Sequence, residues 1–259
     1  MNDNNPAGYT SHLITMDMGD MGTFGFDQGV GEYGASTIDD KSPTAWEESW
    51  HNTGNSSGGL VHTGGSGGVF GYANTIGGID VSFEYAPEIN SSDNGDGATG
   101  KATATLAGGS NMNIAITSSS LMEGLSVGVG AGETEYDNTA VVGQEDGSSV
   151  VGFANYTMGP VTAGVTMSES NNARVATTGV NSGAREVTAM GIAFAVNESL
   201  SVSYNQHDMT YAKKGAGPDV DQESTGIAIA YTMGGAKIAI QNNEQDNSGG
   251  TSGSNLSLI

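Results

Sequence analysis

The feature that most constrains this chain is a period of two in its hydropathy, which recurs along nearly its whole length. Between residues 79 and 85, the apolar residues Ile79, Val81, Phe83 and Tyr85 alternate with the polar residues Asp80, Ser82 and Glu84. The same pattern returns in residues 125–130, 161–168, 200–205 and 237–241. Such alternation gives a strand one apolar face and one small or polar face. The sequence therefore predicts an all-β chain.

The connections between these alternating stretches are short and long in turn. Short turns are predicted at residues 19–22, 74–78, 118–124, 158–160, 196–199 and 233–235. Long polar connections are predicted at residues 29–58, 88–100, 135–148, 169–185, 209–222 and 244–253. Regular alternation of short and long connections is typical of an antiparallel up-and-down sheet whose long loops all emerge at one edge.

Composition narrows the possible environments of such a sheet. With 42 glycines and 36% hydrophobic residues in 259, the chain has little material for a conventional enzyme core. There is no cysteine, which removes disulfides and thiolate chemistry. No apolar run approaches the roughly 20 residues that a membrane-spanning helix needs, and no signal peptide is recognisable. A membrane role would therefore require a β-barrel.

The charge balance is strongly acidic. Aspartate and glutamate number 29 against 7 lysines and arginines, a formal net charge of −22. A surface of this sign repels phosphate backbones, so nucleic acid is excluded as an expected partner.

One hairpin and the segment that follows it resemble a known family. The stretch Gly19-Asp-Met-Gly-Thr-Phe-Gly-Phe26 is similar to the Gly-Asp-Phe-Gly-Ser/Thr hairpin of the general porins of Gram-negative bacteria, which leads into a loop that folds into the pore. Residues 71–87 resemble the next hairpin of that family, including its Tyr-Ala-Pro ending. The resemblance implies a transmembrane β-barrel of the 16-stranded porin type in the bacterial outer membrane. It also implies a homotrimer through which small hydrophilic solutes and ions diffuse passively.

The resemblance gives an alignment of strands. If residues 29–58 are the inward-folding constriction loop, the first strand, at about residues 9–18, corresponds to the fourth of sixteen. About twelve complete strands and the start of a thirteenth then follow, within one domain over residues 1–259. On this count we expect a truncated chain that lacks three initial strands and part of the last.

The same resemblance implies which side chains form the pore. Carboxylates of the loop are expected at the constriction, namely Glu32, Asp39, Asp40, Glu47 and Glu48. The pore wall is expected to include Asp17, Asp27, Gln28, His62, Asp80 and Glu84. Gln28 stands where many relatives have an arginine, His62 is the nearby basic candidate, and Lys41 and Lys101 are assigned to loops. One carboxylate about 6 Å from a passing ion, at an effective dielectric of about 40, contributes roughly 1.4 kcal/mol, which predicts a cation-favouring pore.

Several alternatives stay open at this stage. The loop acids could instead form a solvated external loop. Residues 93–97 and 219–223 carry oxygen ligands at spacings that could hold calcium, and divalent cations could bridge external loops to lipopolysaccharide, although solvated turns are the simpler interpretation. No catalytic motif or metal-ligand spacing is present, so we expect no enzyme activity, metal or cofactor, with an outer-membrane hydrolase as a minor alternative. The main competing class is a glycine-rich adhesin or β-solenoid, but the fixed repeat of a solenoid is missing.

Overall fold

A computed structural model of the protein describes residues 12–28, 33–38, 40–51, 53, 68–87, 108–136, 146–171, 184–212, 218–248 and 254–258. Thirteen strands lie in these ranges: β1 His12–Asp17, β2 Thr23–Gln28, β3 Val69–Ile76, β4 Ile79–Ala86, β5 Gly108–Ser118, β6 Leu125–Tyr136, β7 Gly147–Met158, β8 Val161–Asn171, β9 Ala184–Ala195, β10 Leu200–Tyr211, β11 Val220–Met233, β12 Ala236–Asp246 and β13 Ser254–Leu258. Two short 3-10 turns, Gly19–Met21 and Gly34–Thr37, complete the described secondary structure. No helix in the described part of the chain has the length and hydropathy needed to cross a membrane.

All thirteen strands form one antiparallel sheet in which each strand pairs with its neighbours in sequence. Tight turns join β1 to β2, β3 to β4, and so on to β11 and β12, and they all lie at one edge, which we call the short-turn edge. The strand ends that the long connections join lie at the opposite edge. The predicted up-and-down topology is confirmed, and so is the prediction of twelve strands with a thirteenth following.

The turns at the short-turn edge follow from local sequence. Gly19 and Gly22 take positive φ angles of 63° and 86°, which glycine adopts without steric cost. The Asp17 carboxylate accepts a 2.8 Å hydrogen bond from the Gly19 amide and so closes the first turn. As a result β1 ends at Asp17, whereas the sequence predicted that the strand would extend to about residue 18; its predicted beginning lies outside the described residues.

The apolar side chains of the strands point outward, away from any core. Residues such as Ile14, Met16 and Phe24 of the first hairpin are exposed, and Ile14 is 67% exposed. The pattern continues across the sheet through Ile114, Met167, Ile192, Ile229 and Ile240. Because directly paired residues of antiparallel strands share a face, these side chains form one continuous apolar surface, which we call the outer face.

The opposite surface of the sheet, here the inner face, is mostly polar and yet buried. Its side chains include Asn111, Asn113, Thr166, Ser203, Asn205, Gln241 and Asn243, each less than a tenth exposed. A sheet that is apolar outside and polar inside is the reverse of a soluble protein. It has the pattern of strands that pass through lipid around an aqueous interior.

Candidate functional site

Part of the long connection between β2 and β3 lies against the inner face. We call residues 33–53 the inner segment; the structure describes all of them except 39 and 52. The segment begins at Tyr33, which is 3% exposed and whose ring covers Gly25 of β2 and Gly71 of β3. A β-carbon at either glycine would overlap that ring, so the two glycines form the recess that receives it.

The next residues are held by β4, β5 and β7. The amide of Gly34 donates to Ser82 Oγ at 2.8 Å, and the amide of Ala35 donates to Asn113 Oδ1 at 2.6 Å. Ile38 then packs into an apolar cluster that it forms with Ala35, Ala115, Val151 and Phe153. This small core fixes the first turn of the segment to the wall, and Val187, Met209 and Tyr211 form a second buried apolar cluster on the same face.

The middle of the segment is bound by side chains of β7 and β10. Asn155 Nδ2 donates to the Lys41 carbonyl at 2.7 Å, and Asn205 Nδ2 donates to the Pro43 carbonyl at 2.8 Å. The amide of Ala45 donates to Ser203 Oγ at 2.9 Å. Each bond joins wall and backbone, so the segment is fixed by its main chain and not by its charged side chains.

The end of the segment is bound by β12. Gln241 Nε2 donates to the carbonyls of Glu47 and Glu48 at 2.9 and 2.8 Å. Asn243 Nδ2 donates to the carbonyls of Glu48 and His51 at 3.1 and 3.0 Å. Two neighbouring inward-facing amides thus hold one turn of the segment.

These contacts require a curved sheet. The carbonyl of Lys41 is bound by Asn155 of β7 and the carbonyl of Glu48 by Gln241 of β12, and yet the side chains of Asp40 and Glu48 form a hydrogen bond with each other. Five strand-to-strand steps separate β7 from β12, which is about 24 Å across a flat sheet at about 4.8 Å a step. Two short side chains cannot bridge that distance, so the sheet curves around the inner segment.

Three of the acids predicted for the constriction lie on the described part of the inner segment. The Glu47 carboxylate is 4.0 Å from Nδ1 of His51, which lies four residues later in the chain. Burial, a side-chain hydrogen bond to Asp40 and the negative charge of Asp40 raise the pKa of Glu48 to about 8. Near neutral pH, Glu48 is therefore mostly protonated and uncharged. The other two predicted constriction acids, Glu32 and Asp39, lie outside the described residues.

The structure divides the predicted wall acids into two pairs. Strand register places Asp17, Asp27, Asp80 and Glu84 on the inner face. Asp27 and Glu84 are only 1% and 3% exposed, close to where Tyr33 and Gly34 meet the wall. Asp17 and Asp80 are exposed near the short-turn edge, where Asp80 accepts a hydrogen bond from Thr75 Oγ1. His62 lies outside the described residues, and of Gln28 only the backbone, at the end of β2, is described.

Basic side chains that the sequence did not select also lie on this side of the sheet. Lys237 of β12 places its ammonium 4.4 Å from the ring centre of Trp46, and the guanidinium of Arg185 lies 5.5 Å from that of Tyr211. Lys41, assigned to a loop from the sequence, lines an inner-face cavity together with Asp80. The alternation of side chains along β12 and β9 would have placed Lys237 and Arg185 on the inner face. Their aromatic partners could not be predicted, because they are remote in sequence.

That cavity lies between the inner segment and the short-turn edge. It has a volume of about 640 Å³ and is lined mainly by hydroxyl and amide side chains, including Thr37, Thr117, Ser126 and Asn155. The described residues contain no group of three or more histidine, cysteine or acidic side chains that could hold a metal ion. Of the two calcium candidates, residues 219–223 form the start of β11 and the residue before it, and residues 93–97 lie outside the described part of the chain. The arrangement is that of a hydrated passage beside an inward-folded segment.

Comparison with known proteins identifies the class to which this architecture belongs. The family model of Gram-negative porins matches residues 2–250, nearly the whole chain. The chain therefore belongs to the Gram-negative porin family. It is an outer-membrane channel protein, and the resemblance seen in the sequence is confirmed.

Solved porins have the same fold at low sequence identity. OmpF of Salmonella typhi in complex with daunomycin aligns at 12% identity over 95% of this chain and 75% of its own, with a TM-score of 0.65. OmpT of Vibrio cholerae, expressed in the outer membrane, aligns at 14% identity over 96% and 79%, with a TM-score of 0.63. An anion-selective porin from Comamonas acidovorans aligns at 12% identity over 96% and 75%, with a TM-score of 0.60. No curated protein matches the sequence. At these identities the structural likeness establishes the fold and not the ion preference.

Proposed function

We propose that this porin lets small hydrophilic solutes and ions cross the outer membrane by passive diffusion, that the inner segment forms the narrowest part of its pore, and that the pore favours cations. One observation carries the proposal: the inner segment is bound to the inner face from β2 to β12 and so lies across the concave side of the curved sheet. A solute that follows the interior has to pass this segment. The family match supports a channel over the adhesin and the hydrolase considered from the sequence.

The preference for cations is argued from the charges of the described residues. Asp40 and Glu47 on the segment, with Asp17 and Asp80 on the wall, are four partly or fully exposed carboxylates on the inner side. Lys41, Lys237 and Arg185 oppose them, and both Lys237 and Arg185 stack on aromatic rings. A narrow, weakly screened passage amplifies such an excess, because ions within a Debye length of about 8 Å respond to it.

The reversal potential of the purified protein in a planar bilayer, under a KCl gradient, tests this preference. We expect a cation-favouring potential that falls toward zero in the double variant Asp40→Asn, Glu47→Gln. The matched control is Glu169→Gln, Glu186→Gln, which removes two carboxylates from the outer face and should leave the potential unchanged. Equal potentials in the two double variants would show that the segment does not select ions.

We further propose that divalent cations join the outer face to lipopolysaccharide. At the edge opposite the short turns, carboxylates face each other directly on neighbouring strands, in the pairs Glu169 with Glu186, Asp208 with Glu223 and Glu223 with Asp246. Directly opposed like charges destabilise a sheet, and a cation shared with a lipid phosphate would relieve the repulsion. We expect lipopolysaccharide to bind the purified protein in magnesium and to dissociate in EDTA; binding that is indifferent to EDTA would contradict this contact.

We also propose that the protein assembles as a homotrimer. The family membership supports this, and one structural neighbour, OmpT of Vibrio cholerae folded in vitro, is described as a trimer form. Native mass spectrometry in detergent should give three times the 26.1 kDa mass of the chain. A monomer under conditions that preserve β-structure would refute the assembly without affecting the pore.

A further inference from the structure

Six neighbouring strands carry a continuous row of asparagine and glycine on the inner face. In strand register the row runs Asn155 of β7, Gly164 of β8, Gly191 of β9, Asn205 of β10, Gly226 of β11 and Asn243 of β12. We call this the Asn/Gly row. We propose that the Asn/Gly row positions the inner segment and so sets the width of the pore, an inference that rests on the proposed role of the segment as the narrowest point.

The asparagines of the row hold the main chain of the segment. Asn155 donates to the Lys41 carbonyl, Asn205 to the Pro43 carbonyl, and Asn243 to the carbonyls of Glu48 and His51. These four acceptors are backbone oxygens, and Asn205 Nδ2 also donates to Ser42 Oγ at 3.2 Å. An asparagine is short and neutral, so it holds the chain close to the wall and adds no charge to the passage.

The glycines of the row provide the space for this close approach. A β-carbon at Gly191 would lie 2.5 Å from the Pro43 carbonyl oxygen, and one at Gly226 would lie 2.9 Å from Ser49 Cα. At Gly164 it would lie 3.0 Å from Pro43 Cδ. The same β-carbons would lie at least as close to the neighbouring asparagines of the row, at Asn155 Oδ1, Asn205 Nδ2 and Asn243 Oδ1. A larger residue at these glycines therefore displaces the asparagine beside it and pushes the segment away from the wall.

The two residue types therefore act together on one quantity, the distance between the segment and the wall. Loss of an asparagine releases the segment from the wall, and a larger side chain at a glycine pushes it away, so both changes move the segment into the lumen. Because amides do not titrate between pH 4 and 9, the row keeps the width of the pore constant while the carboxyl groups of the segment change their charge. Width and charge selection are thus assigned to different residues.

The experiment measures pore width and ion preference separately in planar bilayers. Width is read from the smallest polyethylene glycol, in a graded series, that no longer lowers the conductance, and ion preference is read from the reversal potential in a KCl gradient. The variants are Asn155→Ala, Asn205→Ala and Asn243→Ala, and Gly191→Val and Gly226→Val. The control is Asn242→Ala, which removes the same amide from the outer face beside Asn243.

We expect the three asparagine variants and the two glycine variants all to shift the polymer cut-off to smaller sizes, because each change moves the segment away from the wall and into the lumen. The reversal potential should stay within the wild-type range, since no charge changes. Each variant is first checked for native β-structure by circular dichroism and heat-modifiable gel mobility. Asn155→Ala, which removes one hydrogen bond, is expected to keep the fold even where a multiply bonded position does not.

The outcomes separate this inference from the function on which it rests. A conducting wild type whose asparagine and glycine variants share the cut-off of Asn242→Ala overturns the positioning role and leaves the channel in place. A folded wild type without conductance overturns the proposed function and the positioning role with it. A shift to larger sizes in either set would also overturn the inference, because general loosening of the barrel would explain it and movement of the segment into the lumen would not.

Discussion

At the scale of single residues, the contact between Asp40 and Glu48 decides how many charges the inner segment carries. The pKa of Glu48 is raised to about 8 by burial and by its hydrogen bond and repulsion with Asp40. The group is therefore neutral below this value and gains its charge only in mildly alkaline solution. Ionisation of Glu48 therefore adds one negative charge to the inner segment as the pH rises through about 8.

This state predicts a pH dependence of ion preference. As the pH rises through about 8, ionisation of Glu48 adds one negative charge, so the reversal potential of the wild type should become more cation-favouring. Glu48→Gln should remove this alkaline step and change little at pH 7. Asp40→Asn should move the step to lower pH, because the hydrogen bond and the repulsion that raise the pKa are lost. A wild-type profile that Glu48→Gln leaves unaltered would contradict the protonated state.

The same shift has a consequence for stability. The pKa of Glu48 in the folded protein lies above its usual value of 4.5, so between pH 4.5 and about 8 the folded state holds a proton that the unfolded state releases. Its contribution to stability is therefore complete below pH 4.5, is lost as the pH rises toward 8, and is constant above that. Glu48→Gln should flatten this part of the dependence in urea unfolding.

The sequence predicted part of this group and could not predict the rest. Its acidic residues and its place after a hairpin singled out Asp40, Glu47 and Glu48 as candidates. The protonation of Glu48 depends in part on the chain turning back so that residues 40 and 48 come into contact. The amino-acid sequence does not show that turn. Lys237 was missed for a similar reason, since its contact with Trp46 joins residues 191 positions apart.

At the scale of elements, the two faces of each strand differ in the charged substitutions that they tolerate. Ile114 of β5 is exposed on the outer face, and Thr117 of the same strand lines the inner cavity. Ile114→Arg should lower the free energy of unfolding in lipid vesicles by about 2–4 kcal/mol, because the charge would enter hydrocarbon. Thr117→Arg should lower it by less than about 1 kcal/mol, because its side chain meets water.

Urea titration of the two variants in the same vesicles provides the comparison. Equal losses of stability would mean that the outer face of β5 does not meet lipid. A larger loss for Thr117→Arg would reverse the assignment of the two faces.

Strand existence was predictable because alternation of two is a local signal, and each predicted short turn lies at a junction between consecutive strands. The turn predicted at residues 74–78 is shorter in the structure, because β3 continues to Ile76. Alternation alone did not show that the apolar face of the sheet points outward, since a soluble sheet with its apolar face inward has the same pattern. Nor was the Asn/Gly row visible in the sequence. Its members, 155, 164, 191, 205, 226 and 243, become neighbours only when the register of five strand pairs is known.

At the scale of the whole molecule, the described structure is a curved sheet with an apolar exterior, a polar interior and a bound segment across that interior. Each feature has a physical cause. Exposed Ile, Met and Phe side chains on the outer face suit contact with hydrocarbon, and inward-facing amide side chains satisfy the backbone carbonyls of the inner segment. The contacts of the segment with distant strands require a curved sheet. Together with membership of the Gram-negative porin family, they describe a water-filled passage through the outer membrane.

The most direct test of this account is the single-channel conductance of the purified, folded protein in a planar lipid bilayer. An open aqueous pore should give discrete steps of current that rise linearly with voltage and scale with the concentration of KCl. Protein that inserts with its β-structure intact but passes no current in any salt would contradict it.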